Sequence, residues 1–103
     1  MKLINTNSSH KQLIKRQLEN TDATLVETFS AGNTDVIFTK APTHYEILIT
    51  NKHRAIREVE IETIRDFFLK RRIQTDHVRK EDIKTLYSDK LIEISIPIKV
   101  SAQ

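Results

Sequence analysis

The strongest constraint on the fold is a strict alternation of apolar and polar residues near the C-terminal end of the sequence. Every second position is apolar: Ile92, Ile94, Ile96, Ile98 and Val100. A two-residue period is typical of a strand with one buried face, because successive side chains point to opposite sides of a sheet. Pro97 has no amide donor, which indicates an edge position or a local irregularity. The pattern predicts a final strand that packs against other elements.

Three earlier segments show shorter versions of the same pattern. They are residues 23–29, Asp35–Lys40 and His44–Thr50. The first turn contains Gly32, the only glycine, which suits a turn that needs a positive φ. The second turn is Ala41-Pro42-Thr43. Short turns between consecutive strands predict an antiparallel meander.

Helical spacing appears in the segments between the strands. A short helix is predicted from His10 to about Glu19, since Ser9 and Gln12 form a capping-box pattern before an apolar stripe. That stripe consists of Leu13, Ile14 and Leu18. A second helix is predicted from about Glu58 to Arg72, and a short strand near Arg54–Val59 is the alternative. Its apolar face holds Ile61, Ile64, Phe67 and Phe68.

A third helix is predicted to start at Thr75 or Asp76 and to end near Tyr87. Ile83, Leu86 and Tyr87 would face the core. The predicted order is α-β-β-β-α-α-β: one α+β domain over residues 1–103, with a loosely ordered start at residues 1–7. It combines a three-stranded antiparallel meander, a C-terminal strand and two or three helices. Ile64, Phe67, Phe68, Ile94 and Ile96 are expected to pack together.

Composition and motifs argue against an enzyme and against a bound cofactor or metal. The chain has no cysteine, and its four histidines lack the spacing that places two ligands on one helix face. A single glycine cannot build a phosphate-binding loop. Glu58 and Glu62 would share a helix face, but ordinary salt links with neighbouring arginines explain them better. The absence of a long apolar stretch predicts no membrane span and a cytoplasmic location.

The basic residues are the main functional signal. The formal net charge is only +3, from 17 basic and 14 acidic residues, so distribution matters more than the total. The candidate nucleic-acid-binding residues are Lys52, Arg54, Arg57, Lys70, Arg71, Arg72, Arg79, Lys80 and Lys84. Lys70-Arg71-Arg72 would also match the dipole at the end of a helix. Arg79 and Lys80 would open the next helix, against the dipole preference, and this favours phosphate binding.

Two helices joined by a short polar break, with basic residues at the break and beyond, resemble a helix-turn-helix. In this respect residues 35–100 resemble winged-helix DNA-binding proteins of plasmids and phages. The resemblance implies that Arg79, Lys80 and Lys84 read the major groove of double-stranded DNA and that the turn at residues 40–44 acts as a wing. It departs from the usual order, since only one clear strand follows the recognition helix.

The first functional hypothesis is therefore a small DNA-binding protein, an accessory or regulatory factor in transcription or in plasmid or phage DNA processing. The alternative is a protein-interaction module, such as a phage-type inhibitor of a host protein. An RNA-binding role ranks third, because few aromatic residues are free for base stacking. We also expect a homodimer, formed partly through the final strand or the second helix.

Overall fold

The alternating segments assemble into a six-stranded antiparallel sheet. The computed structural model describes residues 2–99 of the 103-residue chain. The strands are β1 (Ile4–Asn5), β2 (Leu25–Ala31), β3 (Thr34–Lys40), β4 (His44–Asn51), β5 (Lys84–Tyr87) and β6 (Leu91–Pro97). The helices are α1 (Lys11–Thr21) and α2 (Glu58–Arg71). Neighbouring strands follow the order β1-β2-β3-β4-β6-β5, so the protein is an α+β domain.

The meander β2-β3-β4 forms where the sequence predicts it. Ala31 pairs with Thr34 across a two-residue turn, and Gly32 adopts a φ of 61°. A positive φ at the first central residue is the requirement of a type II′ hairpin turn, which glycine meets without strain. A second turn, at Ala41–Thr43, returns the chain to β4, and the amide of Ala41 donates to the carbonyl of His44 over 2.9 Å.

One face of the sheet carries the core, and α2 covers it. Successive pairings bring apolar side chains into rows across the sheet, such as Val36 opposite Ile49 and Ile47 opposite Ile94. From α2, Phe68 stacks on Phe38 with ring centroids 4.6 Å apart. The predicted cluster of Ile64, Phe68, Ile94 and Ile96 is confirmed, and Phe67 packs at its margin.

The start of α2 is fixed by a buried carboxylate. Glu60 accepts two hydrogen bonds from the Arg54 guanidinium, at 2.6 and 2.8 Å, and one from the Arg57 amide at 3.1 Å. The Arg54 hydrogen bonds, with help from Arg57, lower the pKa of Glu60 to about 2. Asn51 orders the loop between β4 and α2, since its side-chain oxygen accepts hydrogen bonds from the backbone amides of His53 and Arg54. The helix therefore begins at Glu58, as predicted, although Arg57 is not a typical N-cap residue.

The opposite face of the sheet is only partly covered, by α1. Val26 and Thr28 point to this face and are buried near the helix. Yet no residue of α1 is itself buried, and Leu18 remains 38% exposed. Leu13 and Ile14 are half-buried. The apolar stripe predicted for this helix therefore makes a shallow contact with the sheet. Beyond it, the same face of β4, β6 and β5 stays partly or fully exposed, and we call it the open face.

The predicted third helix is wrong. Residues 75–87 form two short 3-10 turns, Thr75–His77 and Lys80–Asp82, followed by β5. The reason is a tertiary contact. One side of β6 pairs with β4, and the backbone groups on its other side are satisfied when Lys84–Tyr87 pairs with residues 92–95. Leu86 and Tyr87, predicted to face the core, are instead 64% and 60% exposed. Only Ile83 packs against the core, and it does so partly.

Two further predictions about the ends of the chain are corrected. β6 is an interior strand between β4 and β5, not an edge. Pro97 is tolerated because β5 does not extend alongside it. The N-terminal segment is not loose throughout, since Ile4 and Asn5 pair with β2 and the Thr6 amide donates to Thr28 over 2.8 Å. Val100, the last residue of the predicted alternation, lies outside the described residues.

We predict that Phe68→Ala destabilises the protein by about 3–5 kcal/mol, because a fully buried ring leaves a cavity between α2 and β3. Phe67→Ala is the matched control: the same deletion on a half-buried ring should cost clearly less. Urea denaturation of both variants measures the difference. Equal losses would contradict the packing described for α2.

We predict that Glu60→Gln lowers the unfolding free energy at pH 7 by about 1–2 kcal/mol, because a charged acceptor is lost while solvent screens the half-exposed Arg54. A depressed pKa stabilises the fold above the ordinary value of 4.5, and this contribution disappears as pH falls towards about 2. The variant and the wild type should therefore converge in acid. Exposed Glu58→Gln serves as control, and a Glu60→Gln deficit that is independent of pH would refute the assignment.

Candidate nucleic-acid interface

The nine basic residues predicted to bind nucleic acid do not form one surface. Lys52, Arg54 and Arg57 lie at the N-terminal end of α2. Lys70, Arg71 and Arg72 lie at its other end, and Arg79 and Lys80 follow in the connection to β5. Because α2 has 14 residues, its two ends are roughly 20 Å apart. Lys84 lies on β5, on the open face of the sheet.

The two arginines at the N-terminal end of α2 are occupied by structural contacts, whereas the side chain of Lys52 is exposed and has no ion pair among residues 2–99. Arg54 and Arg57 both contact Glu60, at 2.6 and 3.3 Å. The hydrogen bonds that the Arg54 guanidinium donates to Glu60 also raise the pKa of Arg54. The main-chain carbonyl of Lys52 accepts from the Lys90 ammonium at 3.4 Å. This arrangement explains the basic cluster after β4 as a device that anchors the loop to α2.

The second group belongs to a larger cluster where α2, β3 and β6 all end. We call it the basic end and define it by Lys40, Lys70, Arg71, Arg72, Arg79, Lys80 and Lys99. Backbone hydrogen bonds tie its segments together: the Arg79 amide donates to Pro97 at 3.1 Å and the Lys99 amide to His77 at 2.6 Å. Segments distant in sequence therefore present cations at one edge of the sheet.

Aromatic rings at the rim of the core orient three of these cations. The Arg71 guanidinium lies 5.6 Å from the centre of the Phe67 ring, and that of Arg72 lies 5.9 Å from Phe29. The ammonium of Lys40 lies 5.8 Å from the Tyr45 ring. Such contacts hold the charged groups in position without neutralising them, since the attraction comes from the ring quadrupole.

Carboxylates neutralise part of the basic end. Arg72 contacts Glu27 at 3.1 Å, and Arg79 approaches Asp82 to 3.8 Å. Within residues 2–99, four cations of the basic end are exposed and have no carboxylate within 4.0 Å: Lys70, Arg71, Lys80 and Lys99. These side chains are the members of the basic end most available to an anion. The placement of Arg79 and Lys80 in a 3-10 turn removes the helix-dipole argument that the sequence suggested for them.

Lys84 differs from the other candidate residues because it lies on the open face of the sheet, close to carboxylates. It lines a pocket of about 200 Å³ on the open face, together with His44, Glu46, Leu86 and Glu93. Two carboxylates beside it make this a poor place for a phosphate group. The recognition helix that was to carry Lys84 into the major groove is the strand β5.

Sequence analysis missed Lys40 and Lys99 as members of the basic end. Each lies where a strand of the core ends, and neither stands in a basic run. Their common location follows from the antiparallel pairing of β3, β4 and β6, which brings the end of β3 and the end of β6 to the same edge. The distribution of charge along the sequence does not show which strand ends lie at the same edge of the sheet.

In the described part of the chain, no three His, Asp or Glu side chains are grouped so that they could hold a metal ion. Neither α1 nor α2 is long and apolar enough to cross a bilayer.

Comparison with known proteins gives a family and a structural relative. Among solved structures, the chain is similar to a conserved protein of unknown function from Streptococcus thermophilus LMG 18311. The two share 61% sequence identity and a TM-score of 0.94, with 97% of this chain and 99% of the other covered. No curated protein matches. Residues 1–97 match the family described as a domain of unknown function, DUF1827, and the chain therefore belongs to the DUF1827 family.

Proposed function

We propose that the protein is a small nucleic-acid-binding protein that contacts the phosphates of double-stranded DNA through its basic end. The observation that carries the proposal is the convergence of cations from three separate segments on one edge of the sheet. Four of them are exposed and without carboxylate partners among residues 2–99: Lys70, Arg71, Lys80 and Lys99. Phosphate contacts of this kind supply affinity and position, not sequence selectivity.

The size of the basic end fits a duplex. Arg72 lies beside Glu27 of β2, and the backbone amide of Arg79 donates to the carbonyl of Pro97 at the end of β6. Three strand spacings separate β2 from β6, which is roughly 14 Å. This span is close to the width of the major groove of B-DNA, about 12 Å. Cations at its two sides can therefore contact phosphates on both sides of a groove.

An accessory or regulatory role follows from this mode of binding. Because α2 packs along the sheet through Ile64 and Phe68, the side chains at its end contact phosphates and not base edges. A protein that binds mainly through phosphates acts by occupying, bending or bridging DNA, or by recruiting a partner to it. Such a role needs no catalytic group.

A second candidate function, a protein-interaction module, is favoured by a different observation. Leu86 and Tyr87 are apolar, more than half exposed and located on β5, at the edge of the sheet. Exposed sheet edges are common sites for binding an added strand. If the protein does not bind DNA, this function becomes the leading one.

Fluorescence anisotropy with a random-sequence duplex tests the proposed function. Counterion release by about four phosphate contacts predicts that affinity falls roughly a hundredfold between 50 and 200 mM salt. Arg71→Gln and Lys80→Gln should each weaken binding and reduce the salt slope by about one. Neither residue supports the core, so circular dichroism should show unchanged folding.

Lys52→Gln is the matched control, because it removes an equal charge from the other end of α2. It should leave both affinity and salt slope close to wild type. Equal effects of all three variants would indicate a general charge effect and contradict a localised interface. Absence of binding at 50 mM salt would reject the function itself.

A further inference from the structure

The outer edge of β5 has backbone groups that no other part of residues 2–99 satisfies. The Ser88 amide donates to the Leu91 carbonyl at 3.0 Å, which makes this the first hydrogen-bonded pair of the β5–β6 hairpin. Hydrogen-bonded and non-hydrogen-bonded pairs alternate along an antiparallel ladder. Leu86 therefore bonds to Glu93 of β6, while the amides and carbonyls of Thr85 and Tyr87 face outward.

Contacts on the other side of β6 support the same assignment. Ile98 donates to Thr43 at 2.9 Å, and Asn51 donates to Lys90 at 3.2 Å. These bonds show that the backbone N–H and C=O groups of the even-numbered residues of β6 point towards β4, as the register between the two strands requires. Its odd-numbered residues are left to pair with β5. The outward orientation of Thr85 and Tyr87 therefore follows from both neighbours of β6.

We infer that this edge binds the same edge of a second copy, forming a two-fold symmetric dimer with a continuous sheet. In the register centred on Leu86, Thr85 of each chain exchanges both hydrogen bonds with Tyr87 of the other. Because Thr85 and Tyr87 lie two residues apart, the outward N–H and C=O groups of both residues in each chain find partners in the other chain. A self-complementary edge of this kind is what a two-fold interface requires.

Side chains are complementary in the same register. Leu86, 64% exposed in the single chain, lies directly opposite Leu86 of the second copy in a close, non-hydrogen-bonded pair. Tyr87, 60% exposed, lies opposite Thr85 on the other face of the sheet. Lys84 lies opposite Ser88 and next to Asp89, so like charges are not brought together. The register therefore covers the two exposed apolar residues of β5 and places opposite charges at its rim.

The shortness of β5 sets the strength of the interface. A four-residue strand buries less area than the 1,200–2,000 Å² typical of stable interfaces. The dimer is therefore expected to be weak and to dissociate on dilution. The inference does not depend on nucleic-acid binding and can be tested with the protein alone.

Sedimentation equilibrium across about 10 µM to 1 mM tests for the dimer. The wild type should pass from monomer to dimer, and Leu86→Glu should weaken the association by roughly tenfold or more, since it places two carboxylates face to face. Thr85→Pro removes one outward amide but no bond within the hairpin, and it should have a similar effect. A monomeric wild type at 1 mM, or a dimer unaffected by both variants, would overturn the inference.

Single cysteines test the register, because the natural chain has none. Leu86→Cys should form a disulfide-linked dimer on mild oxidation, since non-hydrogen-bonded pairs bring Cα atoms to about 4.5 Å. Lys84→Cys, on the same strand but opposite Ser88, should cross-link far more slowly. Val59→Cys, equally exposed on α2, controls for random collision. Cross-linking at similar rates in all three would contradict the proposed pairing.

Discussion

The packing of Phe68 against the sheet is the contact on which the arrangement of this protein depends. Its ring stacks on Phe38 and meets Phe29 at a steep angle, so one α2 side chain contacts two strands at once. This contact fixes where the C-terminal end of α2 lies relative to β2 and β3. The Glu60 ion pairs fix the other end. The position of Lys70, Arg71 and Arg72 near β2 and the end of β3 follows from these two attachments.

Much of the fold could be predicted from the sequence, because its strongest elements have a clear period. The alternation that includes Ile92, Ile94 and Ile96 predicted β6, and the spacing of Ile64 and Phe68 predicted α2 and its buried face. Gly32 marked the first hairpin turn correctly. In each case the pattern agrees with the local geometry that the residue type prefers, and the tertiary contacts stabilise that same geometry.

The errors lie where tertiary pairing decides the structure. Ile83, Leu86 and Tyr87 have a spacing that suits a helix, yet residues 84–87 form a strand because β6 has a free edge beside them. The same pairing makes β6 an interior strand, whereas Pro97 had suggested an edge position or a local irregularity. Two apolar residues in β5 thus become exposed, and neither helical nor strand periodicity could reveal this without the order of the sheet.

The basic residues illustrate a similar limit for the candidate site. Sequence reasoning selected nine of them, but Arg54 and Arg57 serve to hold a buried carboxylate, and Lys84 lies on the open face. Lys40 and Lys99, which it missed, join the basic end through strand pairing. The selection by local charge density therefore found part of the basic end and lacked the order of the strands needed to find the rest.

The most direct test of the central claim is an NMR titration of the uniformly labelled protein with a 20-base-pair random duplex at low salt. The account predicts progressive shifts of backbone amides at residues 70–72 and 77–80 and at Lys40 and Lys99, with little change at residues 52–57. Shifts confined to residues 52–57 or to α1, or no shifts at a several-fold excess of duplex, would contradict it.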